Sequence, residues 1–324
     1  MKRSKLFFGL FSATALCATL LLTSCGKDDD VPPPPPPPVV TNTITDRVVA
    51  DASLSLLRQA VVKADLAATL SGAGPFTVFA PVDAAFTSAG FTSPVIASAA
   101  VTPAALRTIL LYHTIPSRIL AAQVPAGPNA KVITAGGDSV FVTRNAAGVF
   151  VNGVRVTVAD IAADNGVIHK VGRVINPPTG NIVQTAIAAG LDSLVKAVLR
   201  ATNAPGGDPT LAGTLSNATL TVFAPTNAAF TQLLGILGVT DINQIPVATL
   251  LAVLRYHVVG GRAFSSDLAN GSLTMLAGGT TTVNVTGAAS IRGTGNGGSA
   301  SNITATDIMC RNGVVHLIDR VLRP

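Results

Sequence analysis

Four histidines and two tyrosines are the residues of this chain best suited to acid–base chemistry or to a specific contact. They occur as the pairs Tyr112-His113 and Tyr256-His257 and as the single histidines His169 and His316. A Ser-His-Asp triad could form around such a histidine, because its members need not be neighbours in sequence. The chain contains no Glu, so only Asp could assist a histidine. A hydrolase therefore stays open, although no further pattern favours it.

Other catalytic and cofactor motifs are missing from the sequence. It contains no HExxH motif, no Cys-x-x-Cys pair and no GxSxG elbow. The segment GTGNGG, residues 293–298, satisfies GxGxxG, but a dinucleotide site needs a helix directly after it, and SASNITATD follows instead. We expect no cofactor and no metal ion. We interpret residues 293–298 as a flexible loop whose replacement leaves Tm unchanged.

Two long stretches of the chain repeat each other. TVFAPVDAAF at residues 77–86 recurs as TVFAPTNAAF at residues 221–230, 144 positions later, and the two Tyr-His pairs have the same separation. NGVIH at residues 165–169 recurs as NGVVH at residues 312–316. A period this long indicates a duplicated domain, because solenoid units recur every 20 to 50 residues.

The repeat predicts domain 1 at residues 43–178 and domain 2 at residues 179–324, joined through NPPTG. Copy two has its own insertions at residues 204–213 and 293–298, where we expect partner specificity to differ between the copies. Apolar residues at helical spacing predict an amphipathic helix in copy two: Leu191, Leu194, Val195, Val198 and Leu199. Alternating residues late in each copy predict antiparallel strands. Helices first and antiparallel strands last indicate an α+β fold.

The N-terminus resembles a bacterial lipoprotein signal. A basic start is followed by an apolar run and by Leu22-Thr23-Ser24-Cys25, and in such signals the cysteine is lipidated and becomes the mature N-terminus. The alternative, a membrane-spanning helix, needs about 20 apolar residues. Residues 1–24 are thus predicted to be the signal peptide. Residues 25–42 are predicted to form a lipidated, acidic tether whose proline run is about 22 Å of extended spacer.

The tether sequence CGKDDD resembles the acidic export tag of many Bacteroidota surface lipoproteins, which implies an outer-membrane protein facing the cell exterior. With Cys17 in the leader and Cys25 lipidated, Cys310 is the last thiol; we expect it to be buried and inert rather than nucleophilic. The formal net charge is +6, and the remaining Lys and Arg residues are scattered without basic runs. This pattern argues against a nucleic-acid partner.

Together, TVFAP with AAF, a Tyr-His pair that ends a helix, and NGV.H before a final strand resemble the fasciclin-like domain, present here twice. The resemblance covers residues 43–324. It implies two tandem domains, each a wedge-shaped β-sandwich with a cluster of helices. It also implies non-catalytic adhesion or matrix binding to a surface or matrix protein or polysaccharide, with avidity gained from tandem copies.

The resemblance also implies candidate binding residues. The Tyr-His pair is a proposed adhesion element of the family, which points to Tyr112, His113, Tyr256 and His257. Since neighbouring helix residues project about 100° apart, we expect at least one of each pair to be buried, and a core histidine with a hydrogen-bond partner is the alternative role for all four imidazoles.

Some animal members of the family engage integrins through Glu-Pro-Asp-Ile-Met, of which this chain keeps Asp307, Ile308 and Met309. Copy one keeps only Asp160 and Ile161, so a structural role for the shared Asp-Ile is the alternative. Adhesion is thus the first functional hypothesis, an envelope scaffold the second and an unrecognised hydrolase the third.

Overall fold

The computed structural model describes residues 42–324. The predicted signal peptide, the predicted lipidation site Cys25 and the predicted tether up to residue 41 lie outside these residues. Among the described residues, no helix combines the length and apolarity needed to cross a membrane. We refer to residues 43–178 as domain 1 and to residues 179–324 as domain 2.

Domain 1 consists of helices and one seven-stranded sheet. Its helices are α1 (Ile44–Ala50), α2 (Ser55–Lys63), α3 (Ala67–Ser71), α4 (Asp83–Ser88), α5 (Ser93–Ala97) and α6 (Pro103–Tyr112). Its strands are β1 (Phe76–Pro81), β2 (Thr114–Ile115), β3 (Gly127–Ile133), β4 (Ser139–Asn145), β5 (Gly148–Val151), β6 (Val154–Ala163) and β7 (Gly166–Val171). The strand order is β2-β1-β7-β6-β5-β4-β3.

Domain 2 repeats this arrangement. Its helices are α7 (Ile182–Ala188), α8 (Asp192–Asn203), α9 (Leu211–Asn217), α10 (Asn227–Leu237) and α11 (Val247–Arg255). Its strands are β8 (Leu220–Pro225), β9 (Val258–Gly260), β10 (Gly271–Thr274), β11 (Thr280–Asn284), β12 (Ser290–Arg292), β13 (Ser301–Cys310) and β14 (Gly313–Ile318). Their order, β10-β11-β12-β13-β14-β8-β9, is the order of domain 1 written from the other end.

Helix α6 begins with residues typical of a helix start. Thr102 caps α6 by accepting the amide of Ala105, and Pro103 occupies the first turn, where its missing N–H costs nothing. In α8, the predicted amphipathic helix, Leu194 and Val198 face the core. Leu199 was predicted on the same apolar stripe, but it is half exposed, with 53% of its surface accessible.

The sheet of each domain is mixed, so the expectation of antiparallel strands alone was incomplete. The TVFAP strand β1 pairs in parallel with the last strand β7, and β8 pairs in parallel with β14. Gly166 begins β7, and a side-chain carbon there would lie 2.1 Å from the carbonyl oxygen of Phe76. Glycine therefore allows the first strand to approach the last at this point.

Strand β6 bends and divides the sheet into two parts. Its beginning pairs with β5, and its remainder pairs with β7 across two irregularities in register. Asp160 lies in the second irregularity with φ 60°, and Asp307 holds the same place in β13 with φ 62°. Bulges of this kind bend a strand and increase its twist. The α+β architecture with two sandwich-like sheet domains is thus confirmed.

Each domain has its own apolar interior. One cluster lies between the helices and the sheet, and a smaller one lies under the hairpins, in domain 1 and again in domain 2. Each of these four clusters draws its buried residues from one domain only. The contacts between the domains are described below.

The segment at residues 293–298 is part of the fold, contrary to the expectation of a flexible loop. Asn296 is buried; its Nδ2 donates to the Val321 carbonyl at 3.0 Å, and its Oδ1 accepts the amide of Arg323 at 2.8 Å. Gly293 and Gly295 lie directly against the backbone of the last two residues. The loop therefore fastens the C-terminal segment to domain 2.

Candidate binding site at the interdomain seam

The two tyrosines of the Tyr-His pairs are buried and hold a helix to the sheet. The Tyr112 hydroxyl donates to the Ser139 carbonyl at 3.0 Å and accepts from Nδ2 of Asn152 at 2.9 Å. Burial raises the pKa of Tyr112 to about 12. In domain 2, the Tyr256 hydroxyl donates to the Thr280 carbonyl. Both side chains thus bond the end of the Tyr-His helix to a strand.

The paired histidines are buried as well. Nδ1–H of His113 donates to the carbonyl four residues earlier at 2.8 Å, and Nε2 accepts the amide of Ile175 at 3.0 Å. His257 makes the same bonds, with Nε2 accepting the amide of Leu322 at 2.9 Å. Because one ring nitrogen must accept, both imidazoles are neutral. Burial lowers the pKa of each to about 4.

The Tyr-His pairs are therefore internal clamps in this structure. We predicted that Tyr112, His113, Tyr256 and His257 contact a partner, but all four lie in the interior. Their side chains join the end of α6 and the end of α11 to the sheet and to the last segment of the same domain. The alternative role, a core histidine with bonded nitrogens, is confirmed for both pairs.

The remaining two histidines occupy a second internal position. Nε2–H of His169 donates to the carbonyl of Ile119 at 2.8 Å, and its Nδ1 accepts the amide of Asp160 at 3.2 Å. His316 bonds in the same way to the Ala263 carbonyl at 3.0 Å and to the amide of the equivalent bulge residue. A catalytic triad needs an imidazole nitrogen free to take a proton. Backbone groups occupy both ring nitrogens of all four histidines.

The NGV.H motif also joins parts of each domain. Oδ1 of Asn165 accepts the amide of Ile44 at 2.9 Å, and its Nδ2 donates to the carbonyls of Leu70 and Gly72, both at 2.8 Å. Asn312 makes the corresponding bonds in domain 2. The most recognisable residues of the repeat thus build the fold, so a binding site must be sought among residues that differ between the copies.

Asp307 connects the two domains. Its carboxylate accepts from the amide and hydroxyl of Ser265, both at 2.6 Å, and pairs with Arg173 of domain 1 at 2.8 Å. The Asp307 side chain is 1% exposed, whereas that of its counterpart Asp160 is 42% exposed. Gly153 approaches so closely that a side-chain carbon there would lie 2.5 Å from Asp307 Oδ1. The Asp307 carboxylate is therefore buried in the interface between the two domains, which we call the seam.

Further contacts extend this seam. The guanidinium of Arg262 lies 4.3 Å from the ring centroid of Phe141, which also packs against Phe264. Nδ2 of Asn129 donates to the carbonyl of Arg262 at 2.6 Å and to the carboxylate of Asp267 at 3.0 Å. Burial lowers the pKa of the Arg262 guanidinium.

A cleft of about 560 Å³ opens along the seam. Residues from both domains line it, including Asn129, Lys131, Asp138, Phe141, Arg262, Met309 and Arg311. Three cations face one acid, so the cleft favours an anionic group. Oδ1 of Asn129 is buried and accepts no hydrogen bond from any residue between 42 and 324.

The predicted Asp-Ile-Met residues all lie at the seam. Met309 borders this cleft and also a second one of about 400 Å³, which Asp307 and Ile308 line too. Ile308 and Met309 are half-buried. Their direct contact with a partner stays a prediction, whereas the carboxylate of Asp307 is already occupied by its own chain.

Sequence reasoning did not identify the charged residues of the seam. Arg173 meets Asp307, and Arg262 bonds to the carbonyls of Cys310 and Gly313, so the partners of both lie far away in sequence. The available signal was RNGVVH in copy two, because copy one has Asp164 at the position of Arg311, whereas Arg262 has the counterpart Arg118. A difference between two otherwise similar copies is the kind of signal that points to such a surface.

Other potential reactive groups are enclosed. Cys310 is buried, as predicted, and burial raises the pKa of its thiol. Among residues 42–324, no three His, Cys or Asp side chains lie close enough together to hold a metal ion.

Comparison with known proteins gives consistent matches. A family model described as "Fasciclin domain" matches residues 52–177 and 196–324. Protein sll1483 of Synechocystis is 38% identical over 138 residues, which cover 42% of this chain and 74% of that protein. The rabbit transforming growth factor-beta-induced protein ig-h3 is 30% identical over 267 residues, which cover 79% of this chain but only 35% of that relative. A solved FAS1 domain pair from the insect cell adhesion molecule fasciclin I covers 86% of this chain and 96% of its own, with a TM-score of 0.40 and 17% identity.

Proposed function

Because this chain belongs to the fasciclin domain family, with two copies of the domain, we propose that it is a non-catalytic adhesion or matrix-binding protein. The observation that carries the proposal is the seam, where hydrogen bonds and an ion pair join the two domains beside a cleft built from both. A joined pair presents one surface in a fixed geometry. Binding then loses less conformational freedom than it would with two loosely linked domains.

The chemistry of the seam cleft indicates what the partner presents. Lys131, Arg262 and Arg311 supply positive charge, Phe141 supplies an apolar face, and Asn129 Oδ1 has no hydrogen-bond donor from the described residues. A carboxylated or sulfated polysaccharide, or an acidic loop of a surface or matrix protein, offers the complementary groups. Electrostatic attraction of this kind weakens as salt rises.

We also propose that the chain is held at the outer membrane by acylation of Cys25 and faces the cell exterior. The lipoprotein signal and the acidic residues after Cys25 support this proposal. Acyl chains would provide the anchor, since each buried methylene contributes about 0.8 kcal/mol. Mass spectrometry of the mature N-terminus tests the acylation, and protease accessibility on intact cells tests the exposure.

The binding proposal is tested by capture from the native cell envelope. A fragment from residue 42 onward is immobilised and compared with a Lys131→Gln/Arg311→Gln variant and with the control Arg58→Gln/Arg292→Gln, which removes two exposed charges elsewhere. We expect the seam variant to lose at least tenfold in capture and the control to lose little. Periodate or protease treatment of the envelope then distinguishes a polysaccharide from a protein.

Two results would contradict the proposal. Equal capture by the seam variant and the control would remove the cleft as the binding surface. Normal attachment and biofilm formation by cells that lack the protein would instead favour a scaffold role in the envelope.

A further inference from the structure

Domain 2 contains an apolar cavity of about 140 Å³ where α7, α8 and α9 meet the sheet. Its wall includes Ile182, Ala186, Leu194, Val198, Leu215 and Val258. The polar residue of the wall, His257, already has both ring nitrogens bonded to backbone groups. The cavity therefore offers carbon atoms and almost no hydrogen-bonding group. An apolar cavity of about 150 Å³ stays dry and accepts a molecule the size of benzene, about six carbon atoms.

The cavity has an apolar rim at the protein surface. Ile187 of α7 and Leu199 of α8 both border it, and they are 57% and 53% exposed. An apolar molecule longer than the cavity can therefore enter between the two helices and continue across the rim. Exposed apolar side chains beside a cavity are typical of a ligand site, whereas scattered ones need no explanation.

Domain 1 provides an internal comparison. The capping boxes at the start of α1 and α7 align Val48 with Ala186. The amide of Leu56 in α2 donates to Asp83, the first residue of α4, and the amide of Ser193 in α8 donates to Asn227, the first residue of α10. These equivalent bonds align Arg58 with Val195. Domain 1 thus carries a larger side chain at the position of Ala186 and a charged one at the position of Val195. The small wall residue Ala186 and the apolar Val195 are specific to domain 2, whereas the rim residues Ile187 and Leu199 correspond to Val49 and Val62, which are also exposed.

A shallow depression adjoins the cavity. Val195 and Leu199 line both spaces and form the ridge between them. Beyond the ridge, Lys196 and Arg200 line the depression, and Asp192 lies at the N-terminal end of α8. An alkyl chain that fills the cavity and crosses this ridge places its head group among these side chains.

Arg200 is the group best able to hold that head. Its Nη2 donates to the Ile245 carbonyl at 2.9 Å, but its buried Nε has no hydrogen-bond partner within the described part of the chain. Lys196 is already paired with Asp241 at 2.7 Å. A buried N–H without an acceptor is unfavourable, and an ionised acceptor makes the stronger bond to guanidinium. The free donor thus selects an anionic head.

We propose that domain 2 binds one alkyl chain that carries an anionic head group, as in a fatty acid. The end of the chain lies in the cavity, and the carboxylate is bonded by Nε of Arg200. This activity is separate from adhesion at the seam, which uses other residues.

The test uses the full chain after removal of detergent and bound lipid on a hydrophobic resin. Decanoate and decanol are each titrated against it by displacement of a fluorescent alkyl probe at pH 7.5. We expect one site per chain and at least fivefold tighter binding of decanoate. Arg200→Gln should remove this preference while changing the affinity for decanol less than twofold.

Wall and rim variants locate the site. Ala186→Leu should lower the affinity at least tenfold without lowering Tm, because it fills an existing space. If Ala186→Leu fails to fold, Ala186→Val, which installs the residue of domain 1, replaces it. Leu199→Gln should weaken binding, whereas Val62→Gln, at the matching exposed position of α2, should not.

A second titration, with vesicles of phosphatidylcholine and phosphatidylglycerol, distinguishes a free fatty acid from a membrane lipid as the source of the alkyl chain. Decanoate binding without vesicle binding supports a free fatty acid as the ligand. Vesicle binding that Ala186→Leu abolishes supports a membrane lipid. Absence of both, or binding that the Ala186 and Leu199 variants leave intact, overturns the proposal.

Discussion

Acidification from pH 7 to pH 5 should destabilise both domains through His113 and His257. In the folded protein, burial lowers the pKa of each imidazole to about 4, whereas an unfolded histidine titrates near 6.5. Between these values the unfolded chain binds more protons than the folded one, so stability falls as pH falls. The contribution is complete above about pH 6.5 and is lost progressively towards pH 4.

The size of the effect follows from the two pKa values. One pKa unit corresponds to about 1.4 kcal/mol, and linkage gives a loss of about 2 kcal/mol per histidine between pH 7 and pH 5. If both domains unfold together, the loss is about 4 kcal/mol, a large part of a typical stability of 5 to 15 kcal/mol. Burial also lowers the pKa of His316, which adds to the loss in the same direction. Without Glu in the chain, few carboxylates titrate in this range.

Urea unfolding followed by circular dichroism at pH 7, 6 and 5 measures the effect. His113→Gln and His257→Gln should each be less stable at pH 7 but should each lose about half of the pH dependence, because glutamine cannot be protonated. The reasoning is refuted if the unfolding free energy of the unmodified protein changes by less than about 1 kcal/mol between pH 7 and pH 5. It is also refuted if the double variant keeps the full dependence.

Three further substitutions test the seam and the C-terminal loop by thermal or urea unfolding. Asp307→Asn should lower the free energy of unfolding by about 2 kcal/mol, less than loss of a fully buried ion pair, because Arg173 is half exposed. The matched control Asp160→Asn should lower it by under about 0.5 kcal/mol. Equal losses of stability would contradict the role of the seam. Gly153→Ala should destabilise the protein more than Gly137→Ala, since both glycines have positive φ but only the first would meet Asp307, and a similar cost for the two would argue against a close approach. Asn296→Ala removes two buried hydrogen bonds and should lower stability by about 2 kcal/mol, so an unchanged Tm would restore the idea of a flexible loop.

Much of the fold could be predicted because duplication marks the residues that build it. The alignment of two copies within one chain located the TVFAP strand and the NGV.H segment before the last strand. The duplication also led to a wrong prediction of the binding site, because the Tyr-His pair occurs in both copies and is buried in each. A pattern shared by two copies shows what a domain needs to fold, and only weakly what it binds.

The parts that could not be predicted depend on contacts distant in sequence. Nothing near Arg173 indicates that it meets Asp307, and the parallel pairing of β1 with β7 leaves no periodic signal. The Gly-rich residues 293–298 have the composition of a free loop, but the buried Asn296 holds the chain end there. These features arise only when the separate elements pack.

The bonds of Asn165 have a mechanical consequence. The amide of Ile44 donates to this side chain, and Asn42 bonds to the neighbouring Asp164 through both its amide and its carbonyl. A pulling force applied on the N-terminal side of domain 1 would therefore load the turn between β6 and β7 before it reached the helices. A protein tethered by that end would resist tension first through a short set of hydrogen bonds, which can re-form once the tension is released.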